Sequence, residues 1–146
     1  MPDWQDKRTA HADAILTACQ NSGIFAVPLP PIGVVHAYYK AYAFVKPEQL
    51  AAGWSRDRII EAINALGVPC FSGSCSEVYL EKAFDGTPWR PAQRLKVAQQ
   101  LGETSIMFMV HPTLSAEDID KTLQAIASVS QQARGVDRPD AALVGG

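Results

Sequence analysis

Three cysteines in 146 residues are too few for a disulfide framework. Charge is also nearly balanced: 13 Lys and Arg stand against 15 Asp and Glu, a formal net of −2. With no basic stripe to release counterions, nucleic acid and anionic membranes are poor candidates for the main partner. No apolar run approaches the roughly 18 residues that read as a membrane-spanning helix. The first residues, MPDWQDKRTAHAD, hold no apolar core of a secretory signal. No repeat with a period of roughly 20–50 residues is visible. What is present is apolar material, 47% of the chain, enough to bury a core in one ordinary domain. The expectation is a soluble, cytoplasmic, thiol-reduced domain.

Residues 3–22 read as a helix with Trp4, Ala12, Ile15, Leu16 and Cys19 near one face. Asp3 is placed to cap its start, and Gly23 to follow its end. PLPPIG, residues 28–33, is a proline-stiffened loop. HAYYKAYAFV, residues 36–45, reads as a strand by its aromatic and β-branched content. Alternation sends Ala37, Tyr39, Ala41, Ala43 and Val45 to one face, and His36, Tyr38, Lys40, Tyr42 and Phe44 to the other. The second, larger face is expected to meet another protein surface. Ser55 caps a helix with Ile59, Ile60, Ile63 and Leu66 inward and Gly67 as its stop. Val68 to Phe71 is a short strand, and Ser76 opens a short helix carrying Val78, Tyr79, Leu80 and Phe84. Pro91 suits the first turn of another helix, with Leu95, Ala98 and Leu101 inward and Gly102 closing it. TSIMFMV, residues 104–110, reads as a central strand buried on both faces. Ser115 and Asp118 resemble a capping box ahead of the stripe Ile119, Leu123, Ile126 and Val129. The pattern stops near Arg134, and residues 135–146 read as a flexible tail. The fold class is α+β: a small three-stranded sheet, helices mainly on one face, and a long N-terminal helix leading in.

The chemistry-bearing residues do not assemble into a complete active site. Cys70 and Cys75 are spaced like half a zinc site, yet Cys19, His11, His36 and His111 offer no second pair. A buried strand cysteine and a loop cysteine explain them more simply. Cys75 precedes a helix start, where a dipole lowers a thiol's pKa, and a pair with His36 or His111 is conceivable, but nothing local in the sequence supports it. SGS before a helix start offers backbone N–H groups to an oxygen or a phosphate, without the full phosphate-loop signature. His111-Pro112 ends a strand and reads as structural. Trp54, Trp89 and the tyrosines at 38, 39 and 42 read as core or interface.

Three stretches together carry a resemblance: HAYYKAYAFV, WSRDRIIEAINALGVPCFSGSCSEVYLEKAF and RPAQRLKVAQQLGETSIMFMVHPTLSAEDIDKTLQAI. In order and spacing they are similar to the C-terminal small domain of the DegT-type sugar aminotransferases, which are fold-type I enzymes of the aspartate-aminotransferase group. The resemblance covers nearly all of residues 4–130 and makes residues 1–134 that small domain. It implies a parent that uses pyridoxal phosphate to aminate a nucleotide-linked keto sugar, for polysaccharide or amino-sugar biosynthesis. It also implies a homodimeric parent and a large N-terminal domain, absent here, that carries the Schiff-base lysine. The six lysines of this chain are all accounted for as strand, helix-surface or element-end residues. The chain alone is therefore expected to be inactive, with no catalytic, cofactor-binding or metal residue and no cofactor of its own. By position, the loop after the second strand faces the substrate mouth, which singles out Ser72, Ser74 and Glu77 as partners for sugar hydroxyls. A solvated turn is the other reading of that loop. A non-catalytic binding or interaction module built on the same domain is the other reading of the chain.

Overall fold

The computed structural model describes residues 2–135. The tail expected at 135–146 lies almost wholly outside the described residues. Among these residues, four α-helices and four strands occur in the order α1 (Pro2–Asn21), β1 (Phe25–Ala26), β2 (Lys40–Val45), α2 (Arg56–Ala65), β3 (Cys70–Ser72), α3 (Lys96–Thr104), β4 (Ser105–Met109) and α4 (Ala116–Ala133). The strands form one antiparallel sheet in the order β1-β2-β4-β3. The α+β class and the long leading helix are as expected, but the sheet has four strands where the sequence suggested three. The added strand, β1, is only two residues long and pairs Phe25 with Val45. Two residues are too short to show a period-two pattern.

Inward side chains of the sheet line up in rows across the strands. Ala41 of β2 sits opposite Phe108 of β4, which sits opposite Cys70 of β3. Ala43 and Ile106 form the next row. The small residues on β2 let α1 lie close, and α1 packs against β2 and α4. Its Ala12, Ile15, Leu16 and Cys19 are buried, so this narrow face finds its partner within the chain. Trp4 does not join them and is exposed. Helix α2 packs against β3, β4 and α4. Ile59 and Ile63 are fully buried and Ile60 packs against the core, while Leu66, placed inward by the sequence, is exposed at the helix end. Gly67 follows at φ +75°, a left-handed stop that suits glycine.

Both long caps read from the sequence are present. Ser55 accepts from the backbone N–H of Arg58 at 3.2 Å. Ser115 and Asp118 form a reciprocal capping box at the start of α4. Ile119, Ile126 and Val129 are buried along α4, with Leu123 partly so.

The strand expected over 36–45 begins only at Lys40. Tyr38 has φ +41°, and its backbone N–H donates to His36 Nδ1 at 2.9 Å. A left-handed residue breaks the two-residue alternation. Tyr38 therefore turns into the core, while Tyr39, assigned inward, is exposed. From Lys40 onward the expected alternation holds: Ala41, Ala43 and Val45 are buried, and Lys40, Tyr42 and Phe44 are half-buried. The broad aromatic strip thus loses Tyr38.

Strand β4 is central, as expected, but its two faces differ. Ile106 and Phe108 are buried, whereas Met107 is half-buried and Met109 is 39% exposed. The helices α1, α2 and α4 meet the Ile106 and Phe108 side; the methionine side is not sealed in the same way. Helix α3 starts at Lys96 rather than near Pro91, and Leu95 and Leu101, expected inward, are exposed. The short helix expected after Ser76 is a pair of 3-10 turns, Val78–Leu80 and Lys82–Phe84.

Candidate functional site

Strand β3 ends at Ser72, and the chain then runs through SGSCSE along the α3 side of the sheet. Two glycines set the closeness of this passage. A Cβ on Gly73 would fall 2.4 Å from Ser105 Oγ, and one on Gly102 would fall 2.6 Å from Ser76 Oγ. The bare backbone at Gly73 lets its N–H donate to Ser105 Oγ at 3.2 Å. Ser76 is not a helix cap, as the sequence suggested; its hydroxyl crosses to α3 and donates to the Ala98 carbonyl at 2.6 Å. Gly102, read as a helix stop, lies inside α3 and makes room for that crossing.

Ser72, Ser74 and Glu77 share one open hollow of about 410 Å³, with Arg56, Cys75 and Glu81 also on its wall. Ser74 Oγ lies 2.9 Å from the Tyr42 hydroxyl, which ties the loop to the half-buried side of β2. Glu77 is heavily engaged. Arg94 Nε donates to its Oε1 at 2.8 Å, Arg94 Nη2 donates to Oε2, and the Tyr79 hydroxyl donates to Oε1 at 2.7 Å. The Tyr79 hydroxyl in turn accepts the backbone N–H of Leu95 at 2.9 Å. Arg56 is held in place by carbonyls: its Nη1 donates to Gly102 O at 3.0 Å and to Ser105 O at 2.8 Å.

The two arginine donors, and then the Tyr79 hydroxyl, pull the Glu77 carboxyl down to about 2. Asp118 is lowered in the same sense, first by the backbone N–H of Ser115 and then by its hydroxyl. In both cases the folded value lies below the unfolded one. The stability these carboxylates contribute is therefore complete above about pH 4, the ordinary range of such groups, and is lost as pH falls through the folded values. An NMR titration of the Glu77 side-chain carboxyl carbon should give a midpoint near 2. A midpoint at about 4.3, the ordinary glutamate value, would show that the arginine contact does not form in solution.

Cys70 is buried in β3, and burial pushes its thiol up to about 12. Cys75 is exposed in the loop, and its polar neighbour is the Glu81 carboxylate, Sγ to Oε1 3.8 Å. Among the described residues no cluster of three or more His, Cys, Asp or Glu is placed to hold a metal ion. No helix among them is long and apolar enough to cross a membrane. His111 is occupied locally, its Nδ1 2.7 Å from Thr113 Oγ1.

The larger cavity, about 490 Å³, lies elsewhere, walled by Val68, Phe71, Phe108, Met109 and Leu114. Of its polar neighbours, Asp118 is committed to the capping box, His111 to Thr113 and Thr122 to the Asp118 carbonyl, while Lys121 is exposed. The smaller hollow gathers hydroxyls and charged side chains able to bind a polar ligand and is the candidate site.

The sequence reading found the loop but missed what holds it: Tyr42, Arg56, Tyr79, Arg94, Gly73, Gly102 and Ser105. Glycines at 73 and 102 were visible signals of close approach, although their partners lie far along the chain.

Pyridoxal phosphate, which the fold family implies, needs an enclosed lysine. Lys7, Lys82, Lys96 and Lys121 are exposed, and Lys46 follows β2 half-buried. Lys40 lies with its Nζ 5.4 Å from the centre of the exposed Tyr39 ring. Among the described residues no lysine is enclosed in that way.

A small antiparallel sheet covered by helices on one face, entered by a long helix and edged by a polar loop, is the arrangement of the small domain of DegT-type sugar aminotransferases. Solved structures of such enzymes are similar to this chain. Over 90% of its length the chain is 56% identical to an aminotransferase from Psychrobacter cryohalolentis, with a TM-score of 0.84, and it covers 35% of that protein. A DegT DnrJ EryC1 StrS aminotransferase from Brucella abortus shares the fold at 22% identity and TM-score 0.69, over 86% of this chain and 31% of its own. NtdA from Bacillus subtilis, solved with bound cofactor PMP, does so at 19% identity and TM-score 0.70, over 88% of this chain and 29% of its own. The chain thus spans about a third of the length of these proteins, consistent with a C-terminal fragment. No protein-family model and no curated protein matches it.

Proposed function

We propose that this chain is the C-terminal small domain of a pyridoxal-phosphate-dependent aminotransferase that aminates a nucleotide-linked keto sugar in the cytoplasm, in the making of amino sugars or surface polysaccharides. The observation that carries this reading is the 56% identity and 0.84 TM-score to one aminotransferase over nine-tenths of the chain. The cofactor, when bound by the parent's large domain, supplies the amino-transfer chemistry. This chain's part is to bind and orient the sugar. Ser72 and Ser74 offer hydroxyls that both donate and accept. Glu77 keeps an unused lone pair on Oε2 for a sugar hydroxyl while it holds Arg94. The half-buried side of the sheet, with Tyr42, Phe44, Met107 and Met109, suits contact with the large domain or the second subunit of a homodimer. Alone, the chain is inactive and forms no lysine-bound cofactor.

The test is a chimaera in which this chain replaces the matching third of the Psychrobacter cryohalolentis aminotransferase. Ser74→Ala in the chimaera should raise KM for the sugar by roughly tenfold and leave cofactor binding intact, as expected for a lost substrate contact. Cys75→Ser should be nearly silent. An unchanged KM in both Ser72→Ala and Ser74→Ala would reduce the loop to a solvated turn. A loss of more than about a hundredfold in Cys75→Ser, with the fold preserved, would restore a nucleophile.

A further inference from the structure

Between Ser72 and Lys96 the chain contains only the two 3-10 turns. Its backbone hydrogen bonds are short turn bonds, such as Leu80 N–H to Glu77 O and Phe84 N–H to Glu81 O, both 2.9 Å. Val78, Leu80 and Trp89 are exposed, and Tyr79 is its one buried large side chain. A segment with so few apolar anchors and no ladder opens at low cost unless something else closes it.

Side chains do close it. Glu77 and Arg94 meet through two parallel donors, and the Tyr79 hydroxyl links the same carboxylate to the N–H of Leu95, just ahead of α3. A planar fork on a carboxylate fixes orientation as well as distance. The glutamate end is shielded, its side chain 12% exposed. Next to it, Ser76 is tied to Ala98 of α3, and three residues earlier Gly73 is tied to Ser105. The loop bearing Ser72 and Ser74 is thereby tied at Gly73 and Ser76, and Glu77 closes the long excursion from 78 to 93, which Arg90 braces from within through Asp85 and the Leu80 carbonyl.

We propose that Glu77 is a positioning residue: it clasps Arg94 and Tyr79, closes residues 78–93 into an Ω-shaped strap, and so fixes the rim of the hollow at Ser72–Ser76. The link from rim to substrate rests on the proposed function; the clasp itself is measured without substrate. Tyr79 serves as both donor and acceptor, so removing its hydroxyl cuts the strap from α3 without removing charge.

Amide hydrogen exchange of the chain itself tests this, with Glu77→Gln, Tyr79→Phe and the exchanged pair Glu77→Arg with Arg94→Glu. Both single variants should speed exchange at Leu95 and across 78–93 by about tenfold or more, while β4 and α4 keep their protection. The exchanged pair should recover much of the protection that Glu77→Gln loses, which a loss of packing alone does not predict. Unchanged exchange at Leu95 in both single variants overturns the clasp. So does an exchanged pair as open as Glu77→Gln. In the chimaera, Tyr79→Phe, which removes no group assigned to the sugar, should raise the sugar's KM with little change in kcat. A clasp confirmed by exchange beside an unchanged KM for both serine variants would instead place the failure in the substrate reading.

Discussion

Phe108→Ala should cost about 3–5 kcal/mol of folding stability, the range for deleting a buried aromatic ring. Phe108 is 1% exposed on β4, and its cross-strand neighbours on the inward face are Ala41 and Cys70. Both are small, so neither reaches into the space the ring leaves. The helices above cannot sink into it without breaking other buried contacts at Ile63 and Ile126. Set against a total stability of about 5–15 kcal/mol for an ordinary domain, this loss takes the chain close to its limit. Ile106→Val, one row along, removes a single methylene and should cost only about 0.5–1.5 kcal/mol. Urea unfolding of the two variants checks the pair. A Phe108→Ala penalty below that of Ile106→Val would mean that the row Ala41–Phe108–Cys70 is not packed as described.

The parts of the fold that were legible in the sequence are those written locally. Ser55 and Ser115 sit a fixed three residues from the groups they cap, and the stripe Ile119, Ile126 and Val129 repeats at the helical period. The misread parts depend on events that leave no periodic mark. One left-handed residue, Tyr38, reverses which face its neighbours occupy, and a run of aromatics looks the same on either side of it. Helix α3 has the spacing of an inward stripe in Leu95, Ala98 and Leu101, yet two of the three are exposed. Periodicity says that such a face exists, not that this chain covers it.

The candidate site divides in the same way. Ser72, Ser74 and Glu77 were identifiable as a polar loop following a strand, and the structure brings all three to one hollow. Their surroundings were not identifiable. Arg94 lies seventeen positions from Glu77, Tyr42 thirty-two from Ser74, and Arg56 forty-nine from the Ser105 carbonyl it holds. Such pairings arise from the sheet order and from where α3 lies, and no local pattern encodes them.

Amino-group transfer by the chimaera tests the central claim most directly. Two-thirds of the Psychrobacter cryohalolentis aminotransferase lies outside the region this chain matches. If this chain is the small domain of such an enzyme, it should complete that missing third. Its inward rows would restore the core, its uncovered sheet face would meet the large domain, and its Ser72–Glu77 loop would face the sugar. The chimaera, assayed with the amino donor and acceptor that the parent enzyme uses, should reach kcat/KM within about a hundredfold of the parent enzyme, roughly 3 kcal/mol of transition-state stabilisation. The parent's large domain without any small domain, and this chain without any large domain, should each show no transfer above background. A chimaera that folds and holds its cofactor yet transfers no amino group to any acceptor on which the parent acts would contradict the account.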